Sequence, residues 1–231
     1  LKFSFDNSST DSTGINRVFF RSFVSILRGP SIKQLSKPPF FILGSGRNGS
    51  TLLASILNAH DDIFIPPEQF VLPYAIMKRY IYFLQSKDNW KESVMSSLMQ
   101  ENKTLNWDFK KDNILLENKS VGDLFNCIYV NYASQKNKSI SIWGDKTPLN
   151  THFIDFIYPE FKTAKYIFMV RDPRDVVLSY KQLLNHKAVD TRYALWKWKD
   201  SIRMLDFLEK RTDVLVLRYE DIVSQPQKYI E

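Results

Sequence analysis

Residues 40–53 read FFILGSGRNGSTLL, an apolar run, a glycine-rich loop and the start of a second apolar pattern. The run Phe40 to Leu43 predicts a buried strand, and residues Ser50 to Ala59 predict the helix that follows it. A strand that leads through a glycine loop into a helix is typical of phosphate-binding loops, because backbone N–H groups and the positive helix end attract anions. The stretch therefore predicts an α/β fold with an anion site at the end of its first strand.

The loop has all but one of the features of a Walker A loop. Gly44 and Gly49 are five residues apart and Thr51 is present, but Ser50 occupies the position of the usual lysine. That lysine contacts the β- and γ-phosphates of a nucleoside triphosphate. The positive charge of this loop is on Arg47 instead. The pattern indicates an anion other than the triphosphate tail of ATP.

A second segment predicts a second anion site. Residues 166–170 (YIFMV) have the pattern of a strand, and Asp172 and Pro173 are suited to the N-cap and first position of a following helix. Arg171 then lies at the carboxyl end of a strand, where open parallel sheets bind ligands. Ser179 follows about two helical turns later. An arginine and a hydroxyl placed in this way can hold a separate phosphate through charge-assisted hydrogen bonds.

Together the two segments resemble the sulfotransferases that use 3′-phosphoadenosine 5′-phosphosulfate (PAPS). Three further matches follow the family order: PPE at residues 66–68, WGDKTP at 143–148 and LRYED at 217–221. The layout is closest to the branch that contains protein-tyrosine sulfotransferases and related bacterial sulfotransferases. The resemblance implies a P-loop NTPase-like sulfotransferase fold, a parallel sheet flanked by helices, with a helical insertion at about 70–135 forming the acceptor side.

The resemblance also implies a role for each matching residue. Glu68 is the implied general base, Arg47 the contact to the sulfuryl oxygens, and Lys146 the cation beside the bridging oxygen of the leaving nucleotide. The implied nucleotide contacts cover both phosphates and the adenine: Arg47, Asn48, Gly49, Ser50, Thr51 and Leu52 at the 5′-phosphosulfate, Arg171 and Ser179 at the 3′-phosphate, and Tyr219 at the adenine. PAPS is the implied co-substrate and PAP the product, with no metal.

Other functions remain compatible with these residues. A P-loop kinase with a displaced lysine, such as Lys146, is one alternative, and a catalytically silent nucleotide-binding module is another. Each motif can also be a simple turn or a capped helix with solvated charges. The acceptor is not specified beyond a hydroxyl on a carbohydrate, a peptide tyrosine, a lipid or a small molecule, and the oligomeric state stays open.

Composition narrows the class of ligand. The 231 residues are 44% hydrophobic and carry 32 basic and 25 acidic side chains, a formal charge of +7. Arg47, Lys146 and Arg171 place positive charge where a doubly charged nucleotide needs it, so we expect an anionic small ligand and no nucleic acid. One cysteine and three histidines form no zinc-ligand pattern.

The chain divides into an arm and one domain. Residues 1–37 are predicted to form an N-terminal arm with an amphipathic helix, and residues 38–231 the sulfotransferase domain. We expect the family fold to continue past Glu231, which implies a truncated C-terminal end. A single cysteine and the lack of an 18-residue apolar run favour the cytoplasm. A Golgi-type anchor upstream of residue 1, and membrane association through it, stay open.

Overall fold

The computed structural model describes residues 35, 37–85, 89–105, 120–183 and 191–230. The predicted arm lies outside the described residues apart from Leu35 and Lys37. None of the helices within the described ranges is long and apolar enough to cross a membrane.

The described chain alternates strands and helices. The strands are β1 Phe40–Gly44, β2 Ile63–Phe64, β3 Ile142–Asp145, β4 Lys165–Val170 and β5 Val214–Arg218. The helices are α1 Ser50–Asn58, α2 Val71–Leu84, α3 Trp90–Leu105, α4 Val121–Gln135, α5 Pro148–His152, α6 Ile154–Glu160, α7 Pro173–Leu183, α8 Thr191–Glu209, α9 Tyr219–Ser224 and α10 Pro226–Ile230.

The five strands form one parallel sheet in the order β2-β3-β1-β4-β5. β1 lies between β3 and β4, and its last residue, Gly44, is in register with Met169. Because all strands run the same way, the segments that follow β1, β3 and β4 meet at one edge. The prediction of a parallel sheet flanked by helices is confirmed.

The hydrophobic clusters on the two faces of the sheet differ in size. Helices of the predicted insertion pack into the larger core, where Leu72, Met95, Phe125 and Tyr129 are buried with Trp143 of β3. A smaller cluster on the other face includes Phe40, Ile42 and Leu53. The insertion is therefore a main part of the hydrophobic core of the domain, and not only a cover over a pocket.

Several elements differ from the sequence prediction. The sequence pattern predicts β3 at residues 140–143, but the strand begins at Ile142, because Ser141 N and Ile142 N both donate to the carbonyl of Asp62 and start the pairing there. Lys146 consequently follows the last residue of β3 directly. The two-residue strand β2 and the short helices α5 and α6 were not predicted, since segments this short carry little periodicity.

Candidate active site

The loop between β1 and α1 follows a path that favours glycine. Gly44, Gly46 and Gly49 have φ angles of 143°, 74° and 88°, which residues with a Cβ rarely adopt. At Gly49 an added Cβ would lie 2.2 Å from the ring of Tyr219. Arg47 is also left-handed, with φ of 56°, a costly conformation for arginine that the surrounding contacts must hold.

Asn48 fastens this loop to the neighbouring strand. Its Nδ2 donates to the carbonyl of Met169 at 2.8 Å, and its Oδ1 accepts from Ser50 N at 3.4 Å. The side chain is buried, so it anchors the loop. α1 then begins at Ser50, and its N-cap Gly49 supplies no capping side chain. The first N–H groups of a helix have no partner within the helix, which makes this end suited to an anion.

Glu68 and Lys146 meet beside this loop. Lys146 Nζ donates to Glu68 Oε1 across 78 residues of sequence, and to Thr51 Oγ1 at 3.3 Å. The Lys146 side chain is 10% exposed and that of Glu68 is 35% exposed. A largely buried cation is thus in contact with a proton acceptor that solvent still reaches.

Arg47, Arg171 and Ser179 form a second group. Arg47 Nε donates to Ser179 Oγ at 3.2 Å, and Arg171 Nη1 donates to the Arg47 carbonyl at 3.1 Å. Arg171 Nε is buried and has no acceptor within the described part of the chain. A buried guanidinium nitrogen without an acceptor is costly, and an anionic ligand oxygen can satisfy it.

The backbone around Arg171 is held by its neighbours. Trp198 Nε1 donates to the Arg171 carbonyl at 2.9 Å, and the next N–H, that of Asp172, donates to Glu220 Oε1 at 2.9 Å. Asp172 caps α7 as predicted, since its Oδ1 accepts from Arg174 N at 2.8 Å. Hydrogen bonds from Arg174 lower the pKa of Asp172 to about 2. Arg171 is therefore mounted on a fixed strand-to-helix turn.

Tyr219 links the second group to the loop. The Arg171 guanidinium lies 4.4 Å from the centroid of its ring, within the range of a cation–π contact. The same ring packs on Gly49. Tyr219 thus lies between the β1–α1 loop and Arg171, which is compatible with its predicted position next to the adenine.

The structure brings the predicted residues together in two groups joined by residues 48–52. Arg47 was predicted to reach the sulfuryl oxygens beside Glu68, whereas its Nε is bonded to Ser179 in the other group. Leu52 is 43% exposed. It lies in the first turn of α1, where backbone N–H groups have no partner within the helix, so its N–H is the part that suits a ligand.

Some residues of the site were not singled out from sequence. Tyr180 donates its hydroxyl to the Ser45 carbonyl at 2.9 Å and holds the loop from the side of α7. Gln69 and Asp145, the neighbours of Glu68 and Lys146, are buried and bonded to each other. Their only signal in the sequence is adjacency to motif residues, which does not by itself predict a contact.

Comparisons with known proteins agree with this architecture. A family model described as the sulfotransferase family matches residues 38–231. A protein-tyrosine sulfotransferase of Drosophila melanogaster is 24% identical over 84% of this chain and 36% of its own length. Protein-tyrosine sulfotransferase 1 of Danio rerio is 25% identical over 88% of this chain and 54% of its own length. The chain thus spans about a third to a half of the length of these relatives.

Solved structures share the fold. The sulfotransferase domain of the olefin synthase of Synechococcus PCC 7002 superposes with a TM-score of 0.58 at 24% identity, covering 87% of this chain and 72% of the other. The sulfotransferase domain from the curacin biosynthetic pathway gives a TM-score of 0.54 at 23% identity, covering 85% and 71%. With the family model matching most of its length, the chain belongs to the sulfotransferase family.

Proposed function

We propose that this chain transfers a sulfuryl group from PAPS to a hydroxyl acceptor, with Glu68 as the general base. The observation that carries the proposal is the contact between Glu68 and Lys146 at the end of an anion-binding loop. A proton acceptor and a cation are both needed where a hydroxyl attacks and an anionic group departs. Here they are in contact with each other.

The residues present fit a nucleotide that carries two separate phosphates. The start of α1 offers backbone N–H groups at one end, and the buried Arg171 Nε without an acceptor lies in the other group. Tyr219 stands between them. When bound, PAPS supplies the activated sulfuryl group together with its leaving nucleotide. A 3′-phosphate beside Arg171 and Ser179 is what separates PAPS from ordinary nucleotides.

The chain's own residues divide the chemistry. Glu68 accepts the proton that the acceptor hydroxyl releases during attack. Lys146, held by Thr51 and Glu68, places positive charge where the departing oxygen becomes negative. Arg47 is exposed and its Nε is bonded to Ser179. It therefore helps to bind the nucleotide, and its remaining nitrogens contact the sulfuryl oxygens.

The chemistry of the site also limits the class of acceptor. Two relatives are named protein-tyrosine sulfotransferases, which supports a phenolic hydroxyl among the candidates. Carbohydrate, lipid and small-molecule hydroxyls meet the same chemical requirement. The partner of this site is therefore a hydroxyl-bearing acceptor, approached from the side of Glu68 and the helical insertion.

An acceptor screen tests the proposed function. The protein is incubated with PAPS and representatives of each acceptor class, and products are read by mass for the gain of one SO3 group, about 80 daltons. The proposal expects transfer to at least one class, abolished when PAPS is replaced by ATP and magnesium. Phosphate transfer from ATP, or no transfer from PAPS to any class, would contradict it.

A further inference from the structure

Glu68 and Lys146 reach each other from distant parts of the chain, so something must hold their separation. Glu68 lies in the segment between β2 and α2, and Lys146 follows β3. Gln69 directly follows Glu68, and Asp145 directly precedes Lys146. Both of these polar residues are buried. Gln69 Nε2 donates to Asp145 Oδ2 at 2.8 Å. The base and the lysine are thus flanked by a second, buried contact between the same two segments.

Gln69 cannot turn freely in this contact. Its Oε1 accepts from Val71 N at 2.7 Å and from Leu72 N at 2.8 Å, which satisfies the first turn of α2. The amide oxygen therefore faces the helix, and the amide nitrogen faces Asp145. The backbone N–H of Gln69 also donates to Thr147 Oγ1 at 3.2 Å, which gives a second tie between the two segments.

Asp145 is a carboxyl group enclosed by neutral donors. Tyr129 donates its hydroxyl to Oδ2, and Asn150 Nδ2 donates to Oδ1 at 3.0 Å. Burial raises the pKa of Asp145. Its neighbour Lys146 contacts Glu68 and Thr51 instead. The bonds of the Asp145 carboxyl thus join its own segment to Gln69, Tyr129 and Asn150.

We propose that Gln69 and Asp145 are positioning residues that set the separation of Glu68 and Lys146. The inference rests on the proposed function and deepens it. A misplacement of about 1 Å in a catalytic group can lower turnover on the order of 10²-fold. A buried pair that joins the two segments next to both catalytic groups is placed to prevent such a shift.

The test exchanges donor and acceptor within the pair. Gln69→Glu keeps the oxygen that accepts from α2 but sets a carboxylate against Asp145. Both oxygens of Asp145 accept hydrogen bonds in the parent. In Asp145→Asn the new NH2 group therefore faces a donor in either orientation of the amide. The double substitution restores one donor facing one acceptor and keeps the net charge. A third change, Tyr129→Phe, removes a buried hydroxyl bond to Asp145. Tyr166→Phe is its matched control, because it removes a buried hydroxyl bond to the Phe161 carbonyl, away from the site.

Each single change is expected to lower kcat on the order of 10²-fold. The affinity for PAP, measured by calorimetry, is expected to stay within about threefold. The double variant is expected to regain at least about tenfold in kcat, a coupling that a double-mutant cycle measures directly. Tyr129→Phe, which removes only one bond to Asp145, is expected to lower kcat without loss of the fold. Parental kcat in both single variants, or a double variant no better than the worse single, overturns the proposal.

Crystal structures of the parent and the variants give a readout that does not depend on turnover. The Glu68–Lys146 contact is expected in the parent and in the double variant and broken in each single variant. A contact that survives both single changes overturns the positioning role, even if the parent protein shows no sulfuryl transfer. A parent that transfers nothing while its contacts respond as expected overturns the proposed function alone.

Discussion

At the scale of single residues, the proposed reaction depends on the contact between the Glu68 carboxylate and the Lys146 ammonium. Glu68→Gln removes the proton acceptor while it keeps the size and a hydrogen-bonding oxygen for Lys146. Loss of a general base typically lowers turnover about 10²–10⁴-fold, so we expect kcat to fall in that range. The affinity for PAP should change little, because Glu68 is not among the residues proposed to bind the nucleotide.

Glu209→Gln, at the exposed end of α8, is the matched control for that substitution. It is expected to leave both kcat and PAP affinity unchanged. A Glu68→Gln protein that turns over at the parental rate would assign the base to another residue. Steady-state kinetics with a saturating acceptor, together with calorimetry, separates the two quantities.

Arg171 gives a second prediction at this scale. Arg171→Ala removes the guanidinium that lies over Tyr219 and whose buried Nε has no acceptor in the described chain. A lost charged hydrogen bond costs about 1.5–3 kcal/mol, so PAP should bind roughly 10–150-fold more weakly. Adenosine 5′-monophosphate, which has no 3′-phosphate, should lose little. Titration of both ligands by calorimetry measures the difference.

Arg174→Ala is the control for this prediction. Arg174 lies on the same turn, but its side chain is 88% exposed and pairs with Asp172. It is expected to bind both nucleotides like the parent. Equal losses for the bisphosphate and the monophosphate in Arg171→Ala would contradict the assignment of the 3′-phosphate to this residue.

The site residues that sequence indicated and those it missed differ in a physical way. Glu68, Lys146 and Arg171 follow strands or prolines within recognisable motifs. Their position near the carboxyl ends of the strands can therefore be predicted. Gln69 and Asp145 act through bonds to Tyr129, Asn150 and each other, at separations from 5 to 76 residues. Such contacts depend on packing, which single-sequence patterns do not encode.

At the scale of elements, capping decides where helices begin. Ser120 is the N-cap of α4, since its Oγ accepts from Asp123 N at 3.0 Å. Ser120→Ala is expected to lower the free energy of unfolding by about 1 kcal/mol. Ser134→Ala, exposed in the last turn of the same helix, should stay within about 0.5 kcal/mol of the parent. Urea denaturation measures both, and equal effects would contradict the cap.

The elements themselves show which patterns are predictive. The sequence predicts a helix at residues 71–84, and α2 has these bounds, since its 14 residues are enough to carry a helical pattern. β2 has two residues and α5 has five, too few for a period to emerge. β3 shifted because backbone donation to Asp62, a tertiary contact, sets its start. Long amphipathic elements are thus predictable, and short ones depend on the fold around them.

At the scale of the whole molecule, the sheet order joins segments that the chain keeps far apart. β3 pairs with β1 although α2, α3 and α4, the helices described within the insertion, lie between them in sequence. A ligand that spans the loop after β1 and the turn after β4 would therefore tie several elements to the sheet at once. Binding to the native state alone stabilises it by about 2.7 kcal/mol when the ligand is at 100 times its Kd.

PAP at that concentration is thus expected to raise the Tm by roughly 5–10 °C, given about 2–4 °C per kcal/mol for a chain of this size. Adenosine 5′-monophosphate at the same concentration should give a smaller shift, since it leaves Arg171 and Ser179 without a phosphate. ATP with magnesium should also give a smaller shift, because Ser50 replaces the lysine that a triphosphate needs. Differential scanning fluorimetry ranks the three ligands. A larger shift with ATP and magnesium than with PAP would favour the kinase-like alternative, because the loop would then prefer a triphosphate despite the missing lysine.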